Sequence, residues 1–139
     1  RTHAKGKVII FGHSAGGQLS AYWQRHPWLN SVCAISGIYD LAPLQKTHLN
    51  EALCLSADDI QDFSPMHFPA IKKPLFLVYG GEELVELQWQ STQYAHELLG
   101  HSNQVSLKEL SACNHYTILD AVFGEQGYWL SHVASLTAQ

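Results

Sequence analysis

The chain has 139 residues, 46% hydrophobic and 11% aromatic, the size of one ordinary domain with enough apolar material for a core. With 8 basic against 12 acidic residues the formal charge is -4, and no basic stripe or like-charge run is present, which argues against a nucleic-acid partner. No apolar run approaches the roughly 18 residues of a membrane span and the opening residues do not read as a secretory leader, so the expectation is a cytoplasmic protein with no membrane partner, acting on a small-molecule substrate, with a homodimer left open.

The first predicted element is a strand at "KVIIFG" (7–12), a short apolar run ending on a glycine. Such continuous runs suit parallel strands covered on both faces. Residues 15–25 follow as a helix with Leu19, Tyr22 and Trp23 on one face, and it must end before Pro27, because the residue ahead of a proline is pushed out of helical space. "SVCAISG" (31–37) is the second strand. Residues 41–73 then break the alternation, too long for a plain connection and carrying Pro43, Pro65 and Pro69. Within them Ser56 and Asp59 predict a capping box opening a short helix over 57–63, which Ser64-Pro65 ends. Coming after a strand C-terminus, this excursion is expected to cover a site like a cap; a surface loop with no such part fits the pattern equally well.

"PLFLVYG" (74–80) is the third strand, and 84–99 the next helix, with Leu87, Tyr94, Ala95 and Leu98 on one stripe and Gly100 as its stop. "QVSLKEL" (104–110) alternates, with Val105 and Leu107 on one face, as a half-exposed strand near a sheet edge does. A last helix is predicted over about 128–137, with Trp129, Val133 and Leu136 in register. Strand and helix alternate, so the predicted class is α/β, one domain over 1–139 with a mostly parallel sheet and helices on both faces. Cys33, Cys54 and Cys113 are odd in number and lack metal-type pairing, and are expected as free thiols.

The break at "IFGHSAGG" (10–17) carries the chemistry. Gly-x-Ser-x-Gly between a strand and a helix is the nucleophile-elbow pattern. So tight a turn needs small residues two before and two after the serine; Gly12 and Gly16 fill those places and Gly17 adds slack. Ser14 is expected in a strained backbone conformation costing about 1–3 kcal/mol, which lifts its hydroxyl above the sheet. The N–H of Ala15 and the positive end of the new helix then face the place where an oxyanion would form. A glycine-rich strand–helix turn without chemistry is the bland alternative.

A serine hydroxyl is a weak nucleophile until a base takes its proton, and the base needs an orienting carboxylate. In the elbow fold the chain order is serine, acid, histidine. Glu82-Glu83 follow the third strand and Asn114-His115 the fourth, both just past strand C-termini, where open α/β sheets build their sites. Of the 9 histidines, His115 is the one in that place; His13 reads as a packing residue pointing away from the hydroxyl. No histidine has a second His, Asp or Glu at i, i+4 within a predicted helix, so no metal is expected.

These pieces resemble the C-terminal half of the kynurenine formamidase (arylformamidase) family of the α/β-hydrolase superfamily. The matching stretches are "GHSAGG" (12–17), "SGIYDLAPL" (36–44), "NEALCLS" (50–56), Ser64-Pro65, "GGEELVELQWQS" (80–91) and "NHYTILD" (114–120), in order over nearly the whole chain. The first is shared by many esterases; the second, and the acid segment ending in Gln90-Ser91, are more particular. Carried over by position, the resemblance implies Ser14 as nucleophile, Glu83 as acid with Glu82 as second choice, His115 as base and Ala15 as an oxyanion donor. Family members commonly have Asp at the acid position; Glu reaches one methylene further. Hydrolysis of the formyl amide of an aryl formamide such as N-formylkynurenine, in tryptophan catabolism and with no cofactor, is the implied activity. A carboxylesterase on small acyl esters would share the triad, and an inactive hydrolase fragment is a third reading. Tyr39 and Tyr116, with Phe63 and Phe68, are candidate pocket walls. Upstream of the elbow the family carries further strands and a His-Gly-Gly loop completing the oxyanion hole, which these residues lack. The expectation is therefore a partial domain whose first strand has an unpaired edge.

Overall fold

The computed structural model describes residues 6–69, 73–101 and 104–129. Four strands, β1 (Ile9–His13), β2 (Ser31–Ile35), β3 (Leu75–Gly80) and β4 (Val105–Leu110), form one sheet in chain order with every neighbouring pair parallel. Parallel neighbours cannot be joined by a two-residue turn, so each connection has to cross a face of the sheet. α1 (Ala15–Trp23) links β1 to β2, and α4 (Val85–Gly100) links β3 to β4. The connection from β2 to β3 holds two 3-10 turns, Ala42–Lys46 and Pro65–His67, around α2 (Asn50–Leu53) and α3 (Ala57–Phe63). α5 (Ile118–Phe123) follows β4.

The two-residue period of the strands sorts the core into two halves. Val32 and Ala34 of β2 and Leu75 and Leu77 of β3 pack with Ala21 of α1 and Tyr94, Ala95 and Leu98 of α4. The residues between them, Cys33, Ile35, Phe76 and Val78, face the other way and meet Ile118 and Val122 of α5. β2 and β3 are buried along their whole length, as their unbroken apolar runs predict, and each fully buried branched side chain contributes about 1.5–3 kcal/mol. β4 is exposed over its middle residues and lies at an edge of the sheet, in line with its alternation. At the opposite edge β1 pairs only with β2 among the described residues. α3 opens on the predicted capping box: Asp59 N–H donates to Ser56 Oγ at 3.1 Å, and Ser56 N–H donates to the Asp59 carboxylate at 2.9 Å.

The face of α1 that carries Leu19, Tyr22 and Trp23 is not the one turned to the core: the buried residues are Gly17, Ser20 and Ala21, while Leu19 and Trp23 stay about half exposed. The cause is the closeness of the helix to the strands. A methyl group on Gly17 would lie 2.8 Å from Gly37 Cα and 2.9 Å from the Ile35 carbonyl oxygen, so Gly17 is a contact point, not slack. On Gly12 it would overlap the Gly16 carbonyl, whereas on Gly16 itself it would meet nothing within 4 Å. Gly16 is thus not required to be small. α4 ends on Gly100, where the sequence predicts a stop, closed by His101 N–H on the carbonyls of Leu98 and Leu99 and without a positive φ at the glycine. α5 is a six-residue helix in a stretch for which the sequence predicts no element, because one apolar pair, Ile118 and Val122, is too short a pattern to show a period. Of the helix predicted over 128–137, all but the first two residues lie outside the described residues.

These contacts separate three glycines that look alike in sequence. In urea denaturation Gly12→Ala and Gly17→Ala should each lose at least about 1–3 kcal/mol, the usual cost of overpacking. Gly16→Ala should be neutral or gain about 0.4–1 kcal/mol by restricting the unfolded chain. Equal losses at all three positions would contradict the steric assignment.

Candidate active site

β1 ends at His13, and the next residue turns sharply into α1. Ser14 has φ 58 and ψ -120, a backbone that costs an L-residue roughly 1–3 kcal/mol, as the elbow pattern predicts. It is held there from behind: Ser14 N–H donates to the Ile35 carbonyl at the end of β2, 2.9 Å away. Ala15 begins the helix, and its N–H belongs to the first-turn amides that have no intrahelical acceptor.

The acid and the histidine come from the ends of β3 and β4, and their two loops are laced together. Glu82 N–H donates to the Cys113 carbonyl at 3.0 Å, Gly81 N–H to the Leu110 carbonyl at 3.0 Å, and Cys113 N–H to the same Leu110 oxygen at 3.0 Å. A side chain on Gly80 would overlap the Cys113 carbonyl, so the approach needs glycine. Asn114 Oδ1 then accepts the N–H groups of Tyr116 and Thr117 at 2.9 and 3.0 Å, an Asx turn that fixes the backbone around His115.

Glu83, not Glu82, is the carboxylate that meets the imidazole. Its side chain is fully buried, with Gly80 N–H donating to Oε2 at 3.1 Å and His115 Nδ1 lying 2.9 Å from Oε1. A carboxylate can only accept, so the imidazole proton sits on Nδ1 and the Nε2 lone pair faces outward. Ser14 Oγ lies 3.0 Å from that nitrogen and donates to it. Removing one partner from a buried charge typically costs 3–5 kcal/mol, and here each Glu83 oxygen has a partner, the Gly80 amide on one and His115 on the other.

Comparison with known proteins bears on what this hydroxyl–imidazole–carboxylate chain belongs to. No family model matches the sequence. A kynurenine formamidase of Danio rerio is 27% identical over 138 residues, covering 89% of this chain and 47% of that protein. One of Salmo salar is 26% identical over 134 residues, covering 86% and 45%. The chain spans about half the length of the curated relatives it matches. Among solved structures, an acylaminoacyl peptidase of Pyrococcus horikoshii superposes with TM-score 0.72 at 15% identity, over 94% of this chain and 24% of that one. An esterase of Pyrobaculum calidifontis superposes with TM-score 0.65 at 17% identity, over 96% and 52%. The fold is that of the α/β-hydrolases.

In this α/β-hydrolase fold two cavities open on either side of Ser14. One, of about 540 Å³, is walled by Leu19, Tyr22 and Trp23 of α1 and by Leu53, Leu55 and Phe63 of the excursion; it touches Ala15 but not His115. The other, of about 550 Å³, contains His115 and Tyr116 and runs along Leu84 and Leu87. Ile38, Leu44 and Leu49 wall both. The half-exposed apolar residues of α1 therefore face a cavity, not the core.

Of the expected pocket residues, Tyr116 is 80% exposed beside His115 and Phe63 lines the first cavity. Tyr39 is a correction. It is fully buried, its ring stacked on Tyr94 with centroids 4.5 Å apart, and it lines neither cavity, because its position two residues past the β2 turn sends it into the core. Phe68 is also absent from both walls and lies under the Arg25 guanidinium instead. Ile38 and Leu44 stand in the matching stretch 36–44, and Glu86 and Gln90 in the stretch 80–91, but their place in the cavity walls was not read from the sequence, nor was that of Leu49 in the excursion.

His13 packs its ring on His115, centroids 4.5 Å apart, and its Nε2 is buried with no hydrogen-bond partner among the described residues. Donor atoms of His13, Glu83 and His115 lie within 4.8 Å of one another, spacing that could hold a metal ion, but only at the expense of the Glu83–His115–Ser14 hydrogen bonds. The cysteines among the described residues are free, and burial pushes the Cys33 thiol up to about 12. No helix among the described residues is long and apolar enough to cross a membrane.

Burial first, and then the neighbouring His115, hold the His13 imidazole below its ordinary 6.5. The unfolded chain then binds this proton more readily than the folded one, so stability is full above pH 6.5 and falls as the pH drops through that value towards the lowered one. Urea melts at about pH 7.5 and 5.5, either side of that ordinary value, should show a smaller acid-induced loss for His13→Gln than for the unaltered chain. Equal losses would remove His13 as a cause.

Proposed function

We propose that this protein is a serine hydrolase that cleaves the formyl amide of an aryl formamide, of which N-formylkynurenine is the type substrate. The observation that carries the reading is the unbroken chain from Ser14 Oγ through the His115 imidazole to the buried Glu83 carboxylate, with hydrogen bonds of 3.0 and 2.9 Å. Similarity to the two fish kynurenine formamidases supports the formamide as the bond attacked.

In the reaction His115 Nε2 takes the Ser14 proton as the oxygen attacks the formyl carbon. The resulting imidazolium is held by Glu83, which stays ionised. The Ala15 N–H lies at the head of α1, where it can donate to the oxyanion together with the helix dipole. His115 then returns its proton to the aryl nitrogen, the C–N bond breaks and the arylamine leaves. Water, deprotonated by the same imidazole, attacks the formyl ester on Ser14, releasing formate and restoring the hydroxyl.

One observation favours a second reading, a carboxylesterase acting on small acyl esters with the same three residues. The cavity of about 540 Å³ beside Ser14 and Ala15 is walled by leucine and aromatic side chains, and a formyl hydrogen would leave it empty. Kinetics of N-formylkynurenine beside p-nitrophenyl butyrate separate the two: the formamidase reading expects the higher kcat/KM for the formamide, and the reverse order would favour the esterase.

Two substitutions test the chemistry common to both. Ser14→Ala should abolish covalent labelling by a fluorophosphonate probe, and persistent labelling would clear Ser14 of the role. Glu83→Gln should keep the fold and lower kcat by about 10,000-fold, the effect of presenting the wrong imidazole tautomer to the serine.

A further inference from the structure

Resting on the hydrolase reading above, we infer that the cavity on the His115 side is a leaving-group pocket that selects a cationic nitrogen, with Glu86 as the residue that recognises it.

The assignment of sides follows from proton transfer. The imidazole that takes the serine proton must reach the departing atom to protonate it, so the leaving group has to occupy the side of Ser14 on which His115 lies. The cavity of about 550 Å³ contains both residues, whereas the other contains Ser14 and Ala15 without His115. The leaving group therefore belongs in the former and the acyl part in the latter.

The two spaces differ in charge. Among the described residues no ionisable side chain walls the acyl side apart from Tyr22. Among the described residues that wall the leaving-group side Glu86 is the only carboxylate and none is a lysine or arginine; the other ionisable groups there are His48, His115 and Tyr116. Glu83, although close in sequence, is sealed behind His115 and is not part of the wall. A ligand entering here meets apolar surface from Ile38, Leu84 and Leu87, and one fixed negative charge.

That charge is positioned and not merely present. Gln90, only 2% exposed and one helical turn beyond Glu86, uses all its polar capacity. Its Oε1 accepts the N–H groups of Tyr39 and Asp40 at 2.8 and 2.9 Å, and its Nε2 donates to the Asp40 carbonyl at 3.1 Å and to Glu86 Oε1 at 3.1 Å. The amide that pins the loop after β2 thus also anchors one carboxylate oxygen, leaving Oε2 to accept from a ligand. A pre-oriented carboxylate beside apolar walls suits an alkylammonium, or an arylamine product whose side chain ends in one; an anionic leaving group would meet repulsion with no cation to relieve it.

The test uses two acetate esters of the same shape: 4-[2-(trimethylammonio)ethyl]phenyl acetate and its neutral isostere 4-(3,3-dimethylbutyl)phenyl acetate, at about pH 8 and low salt, above the ordinary imidazole range. The unaltered protein should prefer the cationic ester by about tenfold in kcat/KM, the effect of one carboxylate–ammonium attraction at low salt. In Glu86→Gln, which keeps an acceptor for the Gln90 amide, the ratio should fall to about one, and in Glu86→Lys it should invert. A ratio near one in the unaltered protein, or a tenfold ratio surviving in Glu86→Gln, would overturn the assignment while leaving the hydrolase reading intact. Failure to hydrolyse either ester, together with an unlabelled Ser14, would overturn the hydrolase reading and this inference with it.

Discussion

The site depends on how closely α1 can approach the ends of β1 and β2. Gly12 against the Gly16 carbonyl, and Gly17 against Gly37 and the Ile35 carbonyl, leave no room for a methyl group. Only with that approach can the amide of Ser14 reach Ile35, and only with that hydrogen bond is the left-handed backbone of Ser14 held against its intrinsic cost. The strain lifts the hydroxyl clear of the sheet and aims the head of the helix at the same point. A looser turn would relax the serine and lose both.

The other half of the site is a matter of keeping a charge dry. Glu83 is sealed from water, and its oxygens are satisfied by one backbone amide and one imidazole. Desolvating a carboxylate costs several kcal/mol, so these two bonds set where the imidazole must stand and which nitrogen carries its proton. The hydrogen bonds between the loops after β3 and β4 do the placing, and the neutral ring of His13 packs against the face of His115 without adding charge. Gln90 repeats this economy on a smaller scale, satisfying the loop after β2 and orienting Glu86 with one buried amide. The excursion between β2 and β3 is tied to the same body, through Gln18 Nε2 on the Phe63 carbonyl and Leu41 N–H on Ser64 Oγ, and its leucines complete both cavities.

Much of this was legible before the coordinates, for reasons particular to each segment. The runs over 32–35 in β2 and 75–79 in β3 are apolar throughout, a pattern that suits a sheet covered on both sides, and α3 announces itself by Ser56 and Asp59. Gly12, Ser14 and the strand before them read as an elbow because local sterics there admit few alternatives. The errors have a common form. Leu19, Tyr22 and Trp23 share a helix face that proves to be a cavity wall; Tyr39 looked like a cavity wall and is core. Hydrophobicity states that a side chain is to be covered, not by what.

What the chain by itself determined is local: strand against helix, the strained serine, the caps, and the candidacy of a carboxylate and a histidine just beyond their strands. Such features depend on backbone sterics and on periods of two or 3.6 residues, which neighbours in sequence encode directly. The tertiary structure alone decided which glycines are indispensable, that Glu83 and not Glu82 faces His115, that His13 stacks on it, and that Glu86 lines the same cavity as His115. Each of these is a distance between atoms brought together by three parallel crossings of a sheet, and no short-range pattern carries such distances.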